Sequence, residues 1–567
     1  MAGDVSQGEE DAVFLRETRR TCREFLLQFL DLGMVHVDER RWGHFVLFKA
    51  FFSATRTMRA THQSRPCHLL GSRLSTPRGI VQSTRVHRRP RASTKARSFM
   101  DFLTRMGNGN SQSSGAGSTL PTASLDIGAA PSWEALHGMA AAMSHELGVP
   151  LPGDEDLENG PPNPMSLRRM FGTSEEPRVK LYRDHAAWCP YCHKVVLQLE
   201  EKRIPYVIEK INMRCYGPKP RAFMEKVPSG LLPVLEVDGQ IITESAVIQS
   251  LLEQMYPENC PLLPAQGTRE RERAGALLQL ERQLFGDWLN YLCRGAQKGR
   301  FESTMDAIDH ELGVAGGGPY FLGEFSLVDI VFAPFLERIV ASIPYYKGEM
   351  VRGQGRWSNL EAWFDAMETR PAYMAFKSDF YTHCHDLPPQ LGGCVSTKEG
   401  RPVEAKIDGT DGSWSLPLSP ITNQSLEPLS TGDSPAYDRF MAASRLIKNH
   451  EGVVRFALRG VGQPGQPAVS APLADPYAKP NLDHQVEVDA ALRYVAHLML
   501  TGKVSDGSHE DSGVCTTGPS ASASDAVPPS LIYLRDRVGV PRDMTYPAAR
   551  QFRAHLNWMI DHVTGSS

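Results

Sequence analysis

The sequence predicts an α/β domain with a mixed sheet, followed by an all-helical domain and then by a mainly helical extension. Two patterns predict this fold class. Between residues 177 and 262 the patterns run strand, helix, strand, hairpin and helix, which is typical of a small α/β domain. After Pro264 the apolar spacing is helical, and helical patches return beyond residue 432. A chain of 567 residues is also long enough for several domains.

Residues 1–100 are predicted to be a disordered leader. Residues 40–100 hold 14 Lys and Arg and no Asp or Glu, and from about residue 58 they are rich in Ser, Thr and Pro. Such a segment is typical of an organelle transit peptide. A basic arm that binds nucleic acid is the alternative, but residues 58–98 lack aromatic side chains and the chain beyond residue 100 is acidic. We therefore expect no nucleic-acid partner.

Residues 101–176 are predicted to be a linker, because Gly, Ser, Pro and Asn dominate them apart from a helical pattern over 133–147. In the α/β domain, alternating apolar residues predict strands, and Asp238-Gly239 marks the turn of a hairpin. The predicted strands are 178–184, 206–212, 231–237 and 240–243, and the predicted helices are 190–203 and 244–255.

The helical segment extends over 263–395 and contains two long helical patterns, at 269–293 and 326–340. Ser326 and Asp329 have the spacing of an N-terminal capping box. In this motif a serine oxygen and a carboxylate bond the free amide groups of the first helical turn. We therefore expect these two residues to stabilise the fold.

The last third of the chain is predicted to be an appended helical module. A turn-rich linker over 396–432 precedes the extension, which covers 433–567. Helical patterns in the extension cover residues 436–458, 486–500, 531–537 and 547–563.

Two classes of protein are disfavoured by composition. The chain has no run of about 18 uncharged apolar residues, so we expect no membrane span. Its ten cysteines are thinly spread, which argues against a secreted disulfide scaffold and favours a reducing compartment.

The residues with the clearest chemistry are Trp188-Cys-Pro-Tyr-Cys192. Cys189 follows a predicted strand, and Pro190 suits the first position of the next helix. The amide groups and dipole at that helix end favour the thiolate form of Cys189. His193 and Lys194 are expected to add positive potential. Cys192, three positions on, is placed to resolve a mixed disulfide that forms on Cys189.

A CxxC pair is also half of a zinc site, which is the alternative interpretation. A structural zinc site needs a second pair of ligands. His383-Cys384-His385 is the only other clustered set, and it is predicted to be a surface patch. We therefore expect no metal.

A second motif, Gly230-Leu-Leu-Pro-Val-Leu235, is followed by Thr243-Glu-Ser-Ala246. With these motifs and CPYC, residues 178–378 resemble the soluble glutathione S-transferases, and among them the cysteine-type classes with a glutaredoxin-like site. The resemblance implies a thioredoxin-like glutathione-binding domain over 177–262 and an all-helical C-terminal domain over 263–395. The run GPYFLGEFSLVDIVFAPFLERI is similar to the buried-helix signature of that second domain.

The resemblance also implies how glutathione is bound. In the family, the proline of the second motif is cis, and the backbone of the preceding residue pairs with the cysteinyl part of glutathione. Pro233 and Leu232 occupy these positions. Glu244 and Ser245 match the pair that holds the γ-glutamyl end, and Lys219 matches a lysine near the glycyl end. Glutathione is thus the expected co-substrate.

Within the family, the chain is most similar to the iota class of photosynthetic organisms. The features that carry this similarity are the dithiol CPYC site and an extension that contains VGVPRDM followed by PAARQFRAHL, residues 538–556. The similarity implies that the leader directs the protein to the chloroplast, with a cytoplasmic location as the alternative.

The expected function is a glutathione-dependent thiol transferase or reductase, in deglutathionylation or dehydroascorbate-type reduction. The Cys189 thiolate would attack a glutathione mixed disulfide, and Cys192 or a second glutathione would clear the adduct. Conjugation of glutathione to electrophiles, a noncatalytic interaction scaffold, and iron–sulfur coordination at a dimer interface are the alternatives. The second substrate is left open between a thiol or disulfide and an electrophile, and a homodimer is one assembly to test.

Aromatic side chains on the long helix could line a pocket for that second substrate. Phe285, Trp288 and Tyr291 are more simply predicted as core residues, because aromatic spacing on an amphipathic helix usually marks its buried face.

Overall fold

A computed structural model of the chain describes residues 129–314, 317–430, 432, 434–469, 471–502 and 523–565. All of them belong to one compact unit. The predicted leader, 1–100, and its transit-peptide interpretation lie outside the described residues. Within these ranges, no helix combines the length and the apolar character that crossing a membrane requires.

The α/β domain is a mixed sheet of five strands in the order β1, β3, β2, β4, β5. Strands β2 and β3 are parallel, and the other neighbouring pairs are antiparallel. The chain first forms helix α1 and then the elements of this domain. In chain order they are α1 Trp133–Leu147, β1 Arg168–Arg169, β2 Val179–Asp184, α2 Pro190–Glu201, β3 Tyr206–Ile211, α3 Arg221–Lys226, β4 Val234–Val237, β5 Gln240–Thr243 and α4 Ser245–Met255.

Helices cover both faces of this sheet because β2 is apolar on both sides. Leu181 packs in a cluster with Val195 of α2, whereas Tyr182, the next residue, packs with Phe223 of α3. Successive side chains of a strand point to opposite faces, so one strand contributes to two cores. The sheet therefore presents the carboxyl ends of β2 and β3 at one edge, and α2 starts there.

The all-helical domain is built around a central buried helix, α7. Every residue of α7, Leu327–Lys347, is buried, which agrees with its apolar character on all sides. The predicted capping box at Ser326 and Asp329 is confirmed, with Ser326 N donating to Asp329 at 2.9 Å. The helices of this domain are α5 Arg269–Arg294, α6 Lys298–Gly313, α7, α8 Ser358–Met367, α9 Pro371–Phe376 and α10 Phe380–Leu391.

The extension has a hydrophobic core of its own. Its helices are α12 Pro435–Lys448, α13 His450–Ala457, α14 Gln485–Thr501, α15 Ala523–Arg535 and α16 Tyr546–Thr564, preceded by α11 Arg401–Ile407. The Arg553 guanidinium of α16 donates to the Asp379 carboxylate at 2.6 Å, and both side chains are buried. Asp379 is the N-cap of α10, so a buried ion pair joins the extension to the helical domain.

The helical pattern predicted over 133–147 is confirmed as α1, but both predicted linkers contain more packed structure than their composition indicates. The described part of the first linker, 129–176, contains α1 and β1, and Trp133 Nε1 of α1 donates to Asp489 of α14 at 2.8 Å. The second linker, 396–432, contains α11 and buries Trp414. The composition of both segments is turn-rich. A few apolar residues in them nevertheless pack against residues that are far away in the sequence, and local composition does not predict such contacts.

Candidate active site

Cys189 lies at the junction between the sheet and α2. It is the N-cap residue of α2, and Pro190 occupies the first helical turn, as predicted. The Cys189 thiol is half-buried. A hydrogen bond from Cys192 and the backbone amides of Tyr191 and Cys192 lower the pKa of the Cys189 thiol, against an opposing effect of burial. The site therefore favours a thiolate at Cys189.

Cys192 behaves in the opposite way. It is buried, and burial together with the neighbouring Cys189 sulfur raises the pKa of its thiol well above the ordinary value. Cys192 thus keeps its proton and donates it in a hydrogen bond to Cys189. The structure brings the two predicted cysteines together, with the pKa of the Cys189 thiol lowered and that of the Cys192 thiol raised.

Asp184 is the nearest carboxylate to this pair. Its side chain and the two sulfurs place their ligand atoms within 4.8 Å of one another. One oxygen accepts a hydrogen bond from Trp188 N at 2.7 Å, and the other is buried without a partner among the described residues. A structural zinc site takes four donors, so this set of three is one donor short.

The positive potential expected from His193 and Lys194 is not present as predicted. Burial lowers the pKa of His193 to about 3, so its imidazole is neutral at physiological pH. Lys194 Nζ lies 2.5 Å from the Glu281 carboxylate, and both side chains are buried. The correction has a simple cause, because burial keeps His193 neutral and the charge of Lys194 is balanced by Glu281 of the helical domain.

The charge near the sulfur comes from Arg338 instead. This residue of α7 is 2% exposed, and its guanidinium donates to the Trp188 and Pro334 carbonyl oxygens. It also lies over the Trp188 ring, 4.4 Å from the ring centre. Burial lowers the pKa of Arg338 to about 10, which still leaves it charged at neutral pH. A cation of the helical domain therefore holds the residue that precedes Cys189.

A histidine completes the support of Trp188. Trp188 Nε1 donates to His383 Nδ1 at 3.0 Å, and His383 Nε2 lies 3.4 Å from a Glu337 carboxylate oxygen. Burial lowers the pKa of His383 well below its usual value, so the ring is neutral, with its proton on Nε2. The prediction that residues 383–385 form a surface patch is wrong, because His383 and Cys384 are buried.

Two of the predicted glutathione-binding residues interact electrostatically with the CPYC motif, Lys219 with both cysteines and Glu244 with Tyr191. Lys219 Nζ donates to the Asn212 carbonyl at 2.5 Å. Its Cδ atom lies 3.5 Å from the place that a Cβ atom would occupy if Gly230 had a side chain. The Leu232–Pro233 peptide bond is cis. This places Lys219 beside the loop that carries Leu232.

Glu244 and Ser245 lie at the start of α4. Glu244 is the N-cap residue, with φ of 68°, and Ser245 is the first residue of the helix. The Glu244 side chain is exposed, and it contributes to the electrostatic environment of Tyr191, next to Cys189 and Cys192. An exposed carboxylate here is available to a ligand ammonium group.

Sequence reasoning missed Arg338, Glu337 and His383. One signal was available, because Glu337-Arg338 is an adjacent charged pair in the middle of an otherwise apolar helix. Buried charges of this kind are retained only with partners. Of the three aromatic residues predicted as core, Trp288 and Tyr291 are buried, whereas Phe285 is partly buried and contacts the Tyr191 ring.

We expect Arg338→Met to raise the pKa of Cys189, because it removes a nearby positive charge that favours the thiolate. Arg338→Lys keeps a charge and should show a smaller rise. The measurement is the pH dependence of iodoacetamide alkylation at Cys189, followed by peptide mass spectrometry.

Arg294→Met, at an exposed arginine near the end of α5, is the matched control and should leave the alkylation midpoint unchanged. An unchanged midpoint in a folded Arg338→Met variant would contradict the role of Arg338.

Comparisons with known proteins identify the family of the two domains that form this site. Residues 188–255 match the model of the glutathione S-transferase N-terminal domain, and residues 269–366 match that of the C-terminal domain. Glutathione S-transferase DHAR2 of Arabidopsis thaliana is 30% identical over 164 residues, which cover 28% of this chain and 70% of the relative. The chloroplastic DHAR3 of the same plant is 28% identical, covering 28% of this chain and 58% of the relative.

Among solved structures, dehydroascorbate reductase of Chlamydomonas reinhardtii is 24% identical. The match covers 35% of this chain and 92% of that protein, with a TM-score of 0.30. The two family models cover Cys189, Cys192, Lys219, Glu244 and Arg338 of the site. The chain therefore belongs to the glutathione S-transferase family, whose co-substrate is glutathione.

Proposed function

We propose that the protein is a glutathione-dependent thiol transferase or reductase with Cys189 as its nucleophile. The observation that carries this proposal is the opposite behaviour of the two cysteines. Cys189 has a lowered pKa and is partly accessible, whereas Cys192 has a raised pKa and is buried. A thiol exchange enzyme needs this pairing, because one sulfur attacks first and the other remains protonated until an adduct exists.

In the first step, the Cys189 thiolate attacks the glutathionyl sulfur of a mixed disulfide. A disulfide forms between Cys189 and glutathione, the original disulfide breaks, and the substrate leaves as a thiolate that takes a proton from water. In the second step, a glutathione thiolate attacks this adduct. Glutathione disulfide is released, and Cys189 returns as a thiolate.

Cys192 offers another way to clear the adduct. Its sulfur attacks Cys189, which forms an internal disulfide and releases glutathione. Cys192 must lose its proton for this attack, and the unpartnered oxygen of Asp184 is the acceptor we propose, since the two groups lie within 4.8 Å. Two further glutathione molecules then reduce the internal disulfide.

We propose that glutathione lies along the loop before β4 and the start of α4. The Leu232 backbone pairs with the cysteinyl part, Lys219 faces the glycyl carboxylate, and Glu244 and Ser245 hold the γ-glutamyl end. A helix N-terminus suits a carboxylate, which supports the place of Ser245. The arrangement brings the glutathione sulfur toward Cys189.

Two other functions are less well supported. Conjugation to electrophiles uses a side chain that donates a hydrogen bond to the glutathione thiolate, whereas a cysteine thiolate in that place forms a disulfide with glutathione. A noncatalytic scaffold would not need a lowered pKa at Cys189 together with a buried partner thiol. Dehydroascorbate reduction fits the same cycle as thiol transfer. In both reactions the reduction of the substrate ends with a mixed disulfide between Cys189 and glutathione.

The central test compares Cys189→Ser and Cys192→Ser with the wild type. With the mixed disulfide of glutathione and 2-mercaptoethanol as substrate, we expect Cys189→Ser to lose at least 100-fold in kcat/KM. Cys192→Ser should keep a large part of the activity, since glutathione can clear the adduct. Conjugation to chlorodinitrobenzene is measured in parallel and should not fall in Cys189→Ser.

Cys260→Ser, at an exposed cysteine, is the matched control and should behave as the wild type. Full reductase activity in Cys189→Ser would refute the proposed mechanism.

A second test concerns the pH dependence of Cys189. The Cys192 thiol donates to the Cys189 thiolate, which lowers the pKa of Cys189, so removal of that donor should raise it. We expect the pH midpoint of Cys189 alkylation to move upward in Cys192→Ala. Cys192→Ser retains a donor and should stay nearer the wild type. An equal shift in both variants, or none in Cys192→Ala, would contradict this account.

We propose a plastid location for the protein, with the cytoplasm as the alternative. The acid-free, Arg-rich segment of the first 100 residues supports it, and two relatives carry the description chloroplastic. In a plant or algal host we expect N-terminal sequencing of the mature protein to begin beyond residue 58. An intact residue 1 would exclude the transit peptide.

A further inference from the structure

A cavity of about 590 Å³ lies between the α/β domain and the extension. Lys210 of β3 and His185, just after β2, contribute from one side, and residues of α12, α13, α15 and α16 contribute from the other. The volume is in the range of small-molecule binding sites, about 300–1,000 Å³. No residue proposed for catalysis or glutathione binding is among its lining residues, so it is distinct from the active site, which it adjoins at Asn212, the partner of Lys219.

The extension provides an apolar wall for this cavity. Leu446, Val453, Phe456, Leu534 and Phe552 all line it. Together they offer aliphatic and aromatic contacts from four different helices. A ligand with a hydrophobic body would bury its surface against them.

The polar groups of the cavity are mostly cationic. Lys210, Arg445, Arg459, Arg537 and Arg542 line it, against the carboxylates of Asp475 and Asp543. Some of this charge is balanced within the protein. Arg542 pairs with Asp543 at 2.7 Å, and Arg445 pairs with Glu155 at 3.1 Å.

The positive charges of two of the arginines are not balanced by a carboxylate in this way. Arg459 donates to the Asp475 carbonyl at 3.2 Å, and Arg537 donates to the Tyr533 carbonyl at 3.2 Å. Among the described residues, neither guanidinium has a carboxylate within ion-pair distance, and the Nε atom of each is buried without a partner. Two cations thus face a partly enclosed space with unused hydrogen-bond donors.

Aromatic stacking holds these two guanidinium groups in place. Arg537 lies 3.6 Å from the centre of the Tyr533 ring, and Arg459 lies 5.0 Å from that of Phe456. The two rings contact each other at 5.3 Å between centres. Stacking uses the faces of the guanidinium planes and leaves their edges free, and such an edge matches a phosphate or carboxylate in two parallel hydrogen bonds.

Lys210 adds a third cation from the opposite wall, and no carboxylate is in direct contact with it among the described residues. It lies near the carboxyl end of β3, and among the described residues its ammonium group has no hydrogen bond or ion pair. Ligands of α/β proteins bind outside the carboxyl ends of parallel strands, which is where this wall lies.

We propose that this cavity binds a small organic anion, a phosphate monoester or carboxylate attached to a hydrophobic body. The anionic group lies among Lys210, Arg459 and Arg537, and the body lies against the apolar wall. The site requires the extension, because both arginines and the whole apolar wall belong to it. It is independent of the glutathione chemistry proposed for Cys189.

The test uses 1-naphthyl phosphate as the probe and titration calorimetry on the full chain. We expect saturable binding of one molecule per chain, and at least tenfold weaker binding of the neutral analogue 1-naphthol. Saturating S-methylglutathione should not displace the probe. Arg459→Met and Lys210→Met should each weaken binding at least tenfold, whereas Arg455→Met, at an exposed arginine of α13, should leave it unchanged.

Several outcomes would overturn the proposal. They are no binding of the probe, equal affinity for 1-naphthol, displacement by S-methylglutathione, or wild-type affinity in both cavity variants. Lys210 lies outside the aromatic stack, so its variant tests the site even if Arg459→Met is unstable. Glutathione-dependent activity of Lys210→Met distinguishes the two proposals, since it should equal that of the wild type.

Discussion

The contact of Arg338 with Trp188 is the interaction on which the active site most depends. Arg338 lies in the central helix of the helical domain, yet it holds the carbonyl of the residue just before Cys189. The planar guanidinium donates to two carbonyls from its edge and stacks its face on a ring at the same time. The turn that carries the nucleophile is therefore shaped from outside its own domain. Neither domain contains a complete site by itself.

The difference in pKa between the Cys189 and Cys192 thiols also has a local origin. His193 is neutral and Lys194 is matched by Glu281, so the residues beside the CPYC motif contribute little net charge. The helix end and a single thiol hydrogen bond stabilise the thiolate instead. Such short-range interactions act strongly on one atom and leave the surrounding surface free. An entering disulfide therefore meets a sulfur that is activated by these short-range bonds and by the buried Arg338, and not by the cationic side chains next to the motif.

Much of the fold and of the site was predictable from sequence because it follows short-range rules. The strands, the helix that begins at Pro190, the capping box at Ser326 and the cysteine pair all depend on residues within one or two turns. Arg338 and His383 were not found, since their partners lie 150 and 195 positions away from them. The same reason explains why the packing of α1 and the burial of Trp414 were not predicted. Both lie in segments with the composition of linkers, and their partners are far away in the sequence.

The place of α1 has a consequence for how the chain is made. Its Trp133 bonds Asp489, which lies 356 positions later, and its buried face belongs to the core of the extension. During synthesis, the α/β domain and the all-helical domain can be complete before the core that buries α1 has been made. Contacts of such long sequence separation form late and leave apolar surface open in the meantime. Until the extension is synthesised, the apolar face of α1 therefore has no core to pack against, even though the residues around Cys189 have already been made.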